Sequence, residues 1–189
     1  MLNVFLSASI PLPNRDRQFF ETADVLGIRE AIKALVEAVL PHGRITTGGH
    51  PAITPLIALF VREAGLPRDR LTIFQSHYFD GQFPKANDEF ADVRMVESVN
   101  DDRAASLLAM RQLMLKSQPF DAAVFIGGMD GVLDEAKLFH ELNPGARMIP
   151  VASTGAAARA VFSAGDYPAE FATELTYPTL FRHHLPAQG

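Results

Sequence analysis

Short apolar runs alternate along this chain with longer stretches whose apolar residues recur every three or four positions. The first run, Val4 to Ile10, is stopped by Pro11 and Pro13 and predicts a strand. Residues 14–24 are polar and charged and predict a loop. From Ile28, apolar positions fall at Ala31, Ile32, Leu35, Val36 and Val39, a helical spacing ended by Pro41 and Gly43. Arg44-Ile45-Thr46-Thr47 reads as a second strand and runs into Gly48-Gly49-His50-Pro51. A helix with Ile53, Leu56, Ile57, Phe60, Val61 and Ala64 on one face follows and stops at Gly65. Pro51 suits its first turn, where a backbone N–H would be unpaired anyway.

The second half repeats the rhythm. Leu71 to Phe74 predicts a third strand, His77 to Phe90 a long loop, and Val93 to Val96 a short strand. Asp101 or Asp102 caps a helix through Lys116, with Leu108, Arg111 and Leu115 on one stripe. Ala122 to Ile126 is apolar without a break, the mark of a central parallel strand buried on both faces. It ends in Gly127-Gly128-Met129-Asp130-Gly131, and a helix follows through Leu142. Arg147 to Val151 is the last clear strand. Ser153-Thr154-Gly155 opens an alanine-rich helix, and Pro168 to Arg182 adds one more. Strands that alternate with helices predict an α/β, Rossmann-like three-layer sandwich: a mostly parallel sheet covered by helices on both faces. Neither a repeat nor a linker divides the chain, so residues 1–189 are expected to form a single domain.

Composition narrows the partners. Seventeen Lys and Arg against 22 Asp and Glu give a formal net charge of −5, which lacks the bulk electrostatics of a nucleic-acid binder. The absence of cysteine removes disulfides, thiolate zinc sites and cysteine nucleophiles. No apolar run reaches the roughly 18 residues that span a bilayer. The start has no basic segment before its apolar run, so a soluble, cytoplasmic protein without a membrane partner is expected. His183 and His184 have no acid or histidine at ligand spacing, and neither a metal nor a cofactor is expected.

Ligands of such sheets bind at the carboxyl ends of the strands. Three strand ends here run into small residues and then a helix: Thr47-Gly48-Gly49, Ile126-Gly127-Gly128 and Ala152-Ser153-Thr154-Gly155. Strand 1 adds Ser7 and Ser9 at the same edge. Glycine lets a backbone approach a ligand closely, and a helix start offers unpaired N–H groups to an anion. Together these turns predict a cradle for a phosphorylated ligand. The pattern is neither G-x-x-x-x-G-K-[ST] nor G-x-G-x-x-G, so neither a P-loop NTPase nor an ordinary NAD dehydrogenase is supported. Asp130, Asp134 and Glu135 are candidates for holding ribose hydroxyls or for acid/base work, and equally suit a helix N-terminus. His50 is a candidate for phosphate or base contact, and Arg103 and Arg111, on the helix before the Gly-Gly strand, for phosphate or an ordinary solvent-facing charge. His77, Tyr78, Phe79 and Phe83 form either an aromatic lid over a purine or an ordinary loop anchor.

The run Phe125-Ile126-Gly127-Gly128-Met129-Asp130-Gly131-Val132-Leu133-Asp134-Glu135 resembles the signature of the SLOG superfamily, which joins the Smf/DprA proteins to the LOG phosphoribohydrolases. Those enzymes carry P-G-G-x-G-T-x-x-E at a strand-to-helix turn. Ser at the end of strand 1, Gly-Gly-His-Pro after strand 2 and Ser-Thr-Gly after the last strand look alike too. The resemblance is closest to SLOG domains of bacterial conflict systems, thought to sense nucleotide-derived signals such as ADP-ribose-like molecules. This chain departs from the enzymes in having Ile126 for proline, one extra residue between Gly128 and Gly131, and Val132 for threonine. With that insertion Glu135 falls on the family's catalytic glutamate; without it Asp134 does. Met110-Arg111 lies near the enzymes' upstream arginine, but Gln112 stands where lysine follows it.

The resemblance implies a sensor module. Gly48, Gly49, Gly127, Gly128, Met129, Asp130 and Gly131 would line the ligand, Ser7, Ser9, His50, Ser153, Thr154 and Gly155 would add contacts, and Glu135 would hold ribose hydroxyls. The alternative is a phosphoribohydrolase that cleaves nucleoside monophosphates, with Glu135 and Arg111 catalytic. A vestigial-cleft scaffold is a third. A homo-oligomer and a separate effector protein are expected partners.

Overall fold

The computed structural model describes residues 1–14 and 17–187. Arg15 and Asp16, within the expected loop over 14–24, and Gln188 and Gly189, within the expected single domain, lie outside them. Six strands make one sheet: β1 (Asn3–Ser9), β2 (Arg44–Gly48), β3 (Leu71–Ser76), β4 (Asp92–Val96), β5 (Ala122–Gly127) and β6 (Arg147–Val151). Their order is β4-β3-β2-β1-β5-β6, and every pairing is parallel. The chain runs outward from β1 to β4, then crosses back to β5 on the other side of β1. The order therefore reverses between β1 and β5, which in open α/β sheets opens a crevice at the strands' carboxyl ends.

Side-chain alternation splits the core in two. Val4, Leu6, Ile45, Ile73, Val124 and Ile126 point to one face, under α2 (Val25–Val39), α3 (Thr54–Glu63) and α8 (Tyr177–His184). Phe5, Phe74, Ala123 and Phe125 point to the other, under α4 (Arg103–Leu115), α5 (Asp130–Leu142) and α6 (Ala156–Ser163). The sheet is thus sandwiched in a Rossmann-like layout, as its unbroken apolar strands require. On the second face Phe5 stacks on Phe139 with ring centroids 5.6 Å apart, and Phe125 meets both rings edge-on.

Local structure departs from the sequence expectations in three places. The polar stretch before α2 carries a one-turn helix, α1 (Arg17–Phe20), because Phe19 reaches the second core. The C-terminal stretch forms two helices, α7 (Glu170–Thr173) and α8, where one was expected. On α4 the core-facing residues are Met110, Met114 and Leu115, while Leu108 is 49% exposed, so the expected stripe is rotated from the true apolar face. Asp102, not Asp101, caps α4 by accepting from the Ala105 N–H at 2.9 Å. The loop after β3 is ordered by turns at His77–Phe79 and Lys85–Glu89 and pinned by buried Asn87 and Phe90.

Candidate functional site

α5 positions the principal charged side chain. Val132, Ala136 and Phe139 turn one stripe of this helix into the core. Glu135 lies one turn before Phe139 and is thereby held over the carboxyl end of β1. Its Oε2 accepts from the Ser7 hydroxyl at 2.5 Å, and its Oε1 from Arg111 Nε at 3.2 Å. Arg111, on α4, also donates to Asp134 at 3.1 Å and to the Gly131 carbonyl at 3.5 Å. The side chains of Arg111 and Glu135 are 13% and 15% exposed, whereas Asp134 is 65% exposed. Burial raises the Glu135 carboxyl above its ordinary range, although the Arg111 charge and the Ser7 hydrogen bond work against that rise.

A cleft of about 960 Å³ opens over this group, within the range of small-molecule sites. It collects residues from four strand ends: Ser9 of β1, Gly48, Gly49 and His50 after β2, Gln75 of β3, and Met129, Asp130, Gly131 and Glu135 after β5. Arg111 of α4 and Phe79 and Phe83 of the loop after β3 close its walls. Tyr78 meets the Phe79 ring edge-on, and His77 bonds Asp80, so those two residues anchor the loop.

The remaining residues expected at the site lie outside its lining. The Gly127 N–H donates to Thr154 Oγ1 at 2.9 Å, and the Gly128 N–H to the Ser9 carbonyl at 2.8 Å. These glycines therefore shape the turn and present no donor to a ligand. Both hold positive φ, 56° and 96°, and a Cβ on Gly128 would lie 2.3 Å from Val132. Thr154 is fully buried and donates in turn to the Val151 carbonyl at 2.6 Å. Ser153 donates to the Glu174 carbonyl, and Gly155 packs on the backbone of Thr22. The third small-residue turn thus braces β6 against β5 and the turn between α1 and α2. The Gly48-Gly49 turn is also internally satisfied: Gly49 N–H meets the Phe74 carbonyl, His50 N–H meets Thr54 Oγ1, and Ala52 N–H meets His50 Nδ1. That turn contributes space to the cleft rather than donors.

Donors without a partner among the described residues are found at the start of α5. Its N-cap residue Met129 makes no side-chain cap, and the N–H groups of Asp130 and Gly131 precede the first intrahelical bond. Their partial positive charge and the Arg111 guanidinium converge on one end of the cleft, an arrangement suited to an anion. Gln75 had no place in the sequence expectations; its one legible signal is an amide near the end of a strand that is buried throughout. Among the described residues no group of three or more His, Asp or Glu side chains is placed to hold a metal. No helix among them is long and apolar enough to cross a membrane.

Comparison with known proteins adds two findings. The model of the SLOG cluster3 family matches residues 18–185. The X-ray structure of TM1055, a structural-genomics target, superposes with a TM-score of 0.58 at 17% sequence identity, over 86% of this chain and 81% of that one. That likeness concerns the fold. No curated protein matches the chain significantly.

Proposed function

The chain belongs to the SLOG cluster3 family, and on that premise we propose that its cleft binds a nucleotide or nucleotide-sugar as a sensor module. One observation carries the reading: the Ser7–Glu135–Arg111 chain of hydrogen bonds lies at the reversal of strand order, beside the uncapped start of α5. In the proposed complex the ligand's phosphate takes the Asp130 and Gly131 N–H groups and one edge of the Arg111 guanidinium. Glu135 accepts from ribose hydroxyls, which are strong partners for a carboxylate already removed from water. Gly48, Gly49, His50, Ser9 and Met129 form the walls around the sugar. Binding then acts by favouring one assembly state, with a second copy of the chain or a separate effector.

The second reading is a phosphoribohydrolase. It is favoured by the same buried carboxylate, which in an N-glycosidase would stabilise an oxocarbenium-like sugar or activate water. In that reading Arg111, which donates to Glu135, also positions the phosphate of the nucleotide.

The test is a panel of AMP, ADP-ribose, cyclic ADP-ribose forms, NAD and cyclic dinucleotides. Thermal melting reads binding and chromatography of the same mixtures reads turnover, while light scattering with and without ligand reads assembly. A raised melting temperature with the ligand recovered intact, together with a ligand-dependent change in mass, supports the sensor. Free base and ribose phosphate released from a monophosphate replace it with the enzyme. No shift with any member of the panel rejects both.

A further inference from the structure

Gln75 carries a buried amide nitrogen without a protein partner. It is 4% exposed on β3, and its Nε2 makes no hydrogen bond. A donor withdrawn from water in this way destabilises the fold unless an ordered water or a ligand meets it. Its position shows where such a partner would lie. A Cβ on Gly49 would come within 1.7 Å of Nε2, so the amide fills the side-chain space above the second glycine of the Gly48-Gly49 turn. Both residues line the cleft.

The cleft also carries aromatic side chains. Phe79 and Phe83, both half-buried, line it from the loop after β3, with Arg103 lying 5.9 Å from the Phe79 ring centre. Aromatic faces beside an amide suit a flat heterocycle, which stacks on the rings and is read at its edge. Gln75 stands two strands from Ser7 in the sheet and, being two residues from Ile73, on the α3 side of it, so a ligand that reaches both crosses the carboxyl edge of the strands.

We propose that Gln75 is the base-reading residue of the cleft and selects adenine over bases whose corresponding edge carries only acceptors. A carboxamide offers one donor and one acceptor side by side. Along its N7 edge adenine answers with a ring nitrogen beside its 6-amino group, whereas guanine and hypoxanthine present along the same edge a ring nitrogen beside a carbonyl. Gly49 is glycine in this scheme because any side chain there would displace the amide. The inference rests on the nucleotide-binding reading above.

Calorimetric titration with AMP, IMP and ribose 5-phosphate tests it, with chromatography after each run to confirm intact ligand. The wild-type protein should bind AMP at least tenfold more tightly than IMP. Gln75→Met, which keeps the volume but loses the amide, should bind AMP and IMP equally and keep its affinity for ribose 5-phosphate. Gly49→Ala should lose the same preference with the amide chemically intact, which covers the case that Gln75→Met does not fold. Equal wild-type affinity for AMP and IMP, or a preference that survives both substitutions, overturns the assignment to Gln75 while leaving phosphate-ribose binding standing. If the wild-type protein binds neither AMP nor ribose 5-phosphate, the nucleotide reading itself falls, and this inference with it.

Discussion

Glu135 and Thr154 were both legible as polar residues beside glycine turns, yet the structure gives them opposite surroundings. Glu135 is largely withdrawn from water, its side chain 15% exposed, and its pKa is raised, so the folded protein binds its proton more readily than the unfolded chain does. Its contribution to stability is therefore greatest at low pH, declines as pH rises through the interval from the ordinary carboxyl value to its raised value, and is level above. Subtracting the pH profile of thermal stability of Glu135→Gln from that of the wild type should reveal this decline; identical profiles would mean that the carboxyl is not held as described. Thr154 accepts from Gly127 and donates to Val151 at a fully buried position. Thr154→Val should cost about 1–3 kcal/mol in denaturant unfolding. It should leave affinity for any cleft ligand unchanged, because the hydroxyl is on the brace and not in the cleft. A selective loss of affinity at full stability would return Thr154 to the site.

At the scale of elements, α5 joins stability to function. Phe139 is fully buried against Phe5 and Phe125, and Glu135 lies one turn earlier on the same helix. Phe139→Ala should cost about 3–5 kcal/mol, read from the midpoint of urea unfolding, since it removes a ring from a packed aromatic cluster. A cost below 1 kcal/mol would show that the cluster does not hold the helix. The periodicity of α2, α3 and α5 was plain because each has one continuous apolar stripe. That of α4 was not, since Leu108 and Arg111 turn toward the cleft while two methionines face the core. The one-turn α1 escaped notice because four residues carry no period, and only the contact of Phe19 with α6-side residues gives it a reason to form.

For the whole molecule, the position of β1 has the largest consequence. It pairs with both β2 and β5 at the centre of the sheet, and it supplies Ser7 to Glu135. A chain lacking Asn3–Ser9 should therefore lose cooperative unfolding altogether, as judged by circular dichroism and calorimetry, although that strand lies outside the stretch matched by the family model. A truncated chain that still melts in a single sharp transition would contradict the central role of β1. A ligand that binds only the native state should stabilise it by about 2.7 kcal/mol at a hundredfold excess over Kd. For a chain of this length that is a rise in Tm of roughly 5–11 °C.

The sequence by itself determined the strands, most of the helices and the parallel class of the sheet, because apolar periodicity and glycine or proline stops are local properties of the chain. It also placed Gly-Gly turns at strand ends and singled out Glu135 and Arg111. What only the tertiary structure decided is which of those turns face a common cleft. The order β4-β3-β2-β1-β5-β6 puts the reversal beside β1, brings Arg111 to a carboxylate 24 residues away, and sets Gln75 over Gly49. The same order leaves Ser153 and Thr154 bracing the sheet. A hydroxyl or an N–H beside a glycine reads the same in sequence whether it meets a ligand or a neighbouring strand. The difference lies in which acceptor is within 3 Å, and strand order fixes that through contacts between residues far apart in the chain.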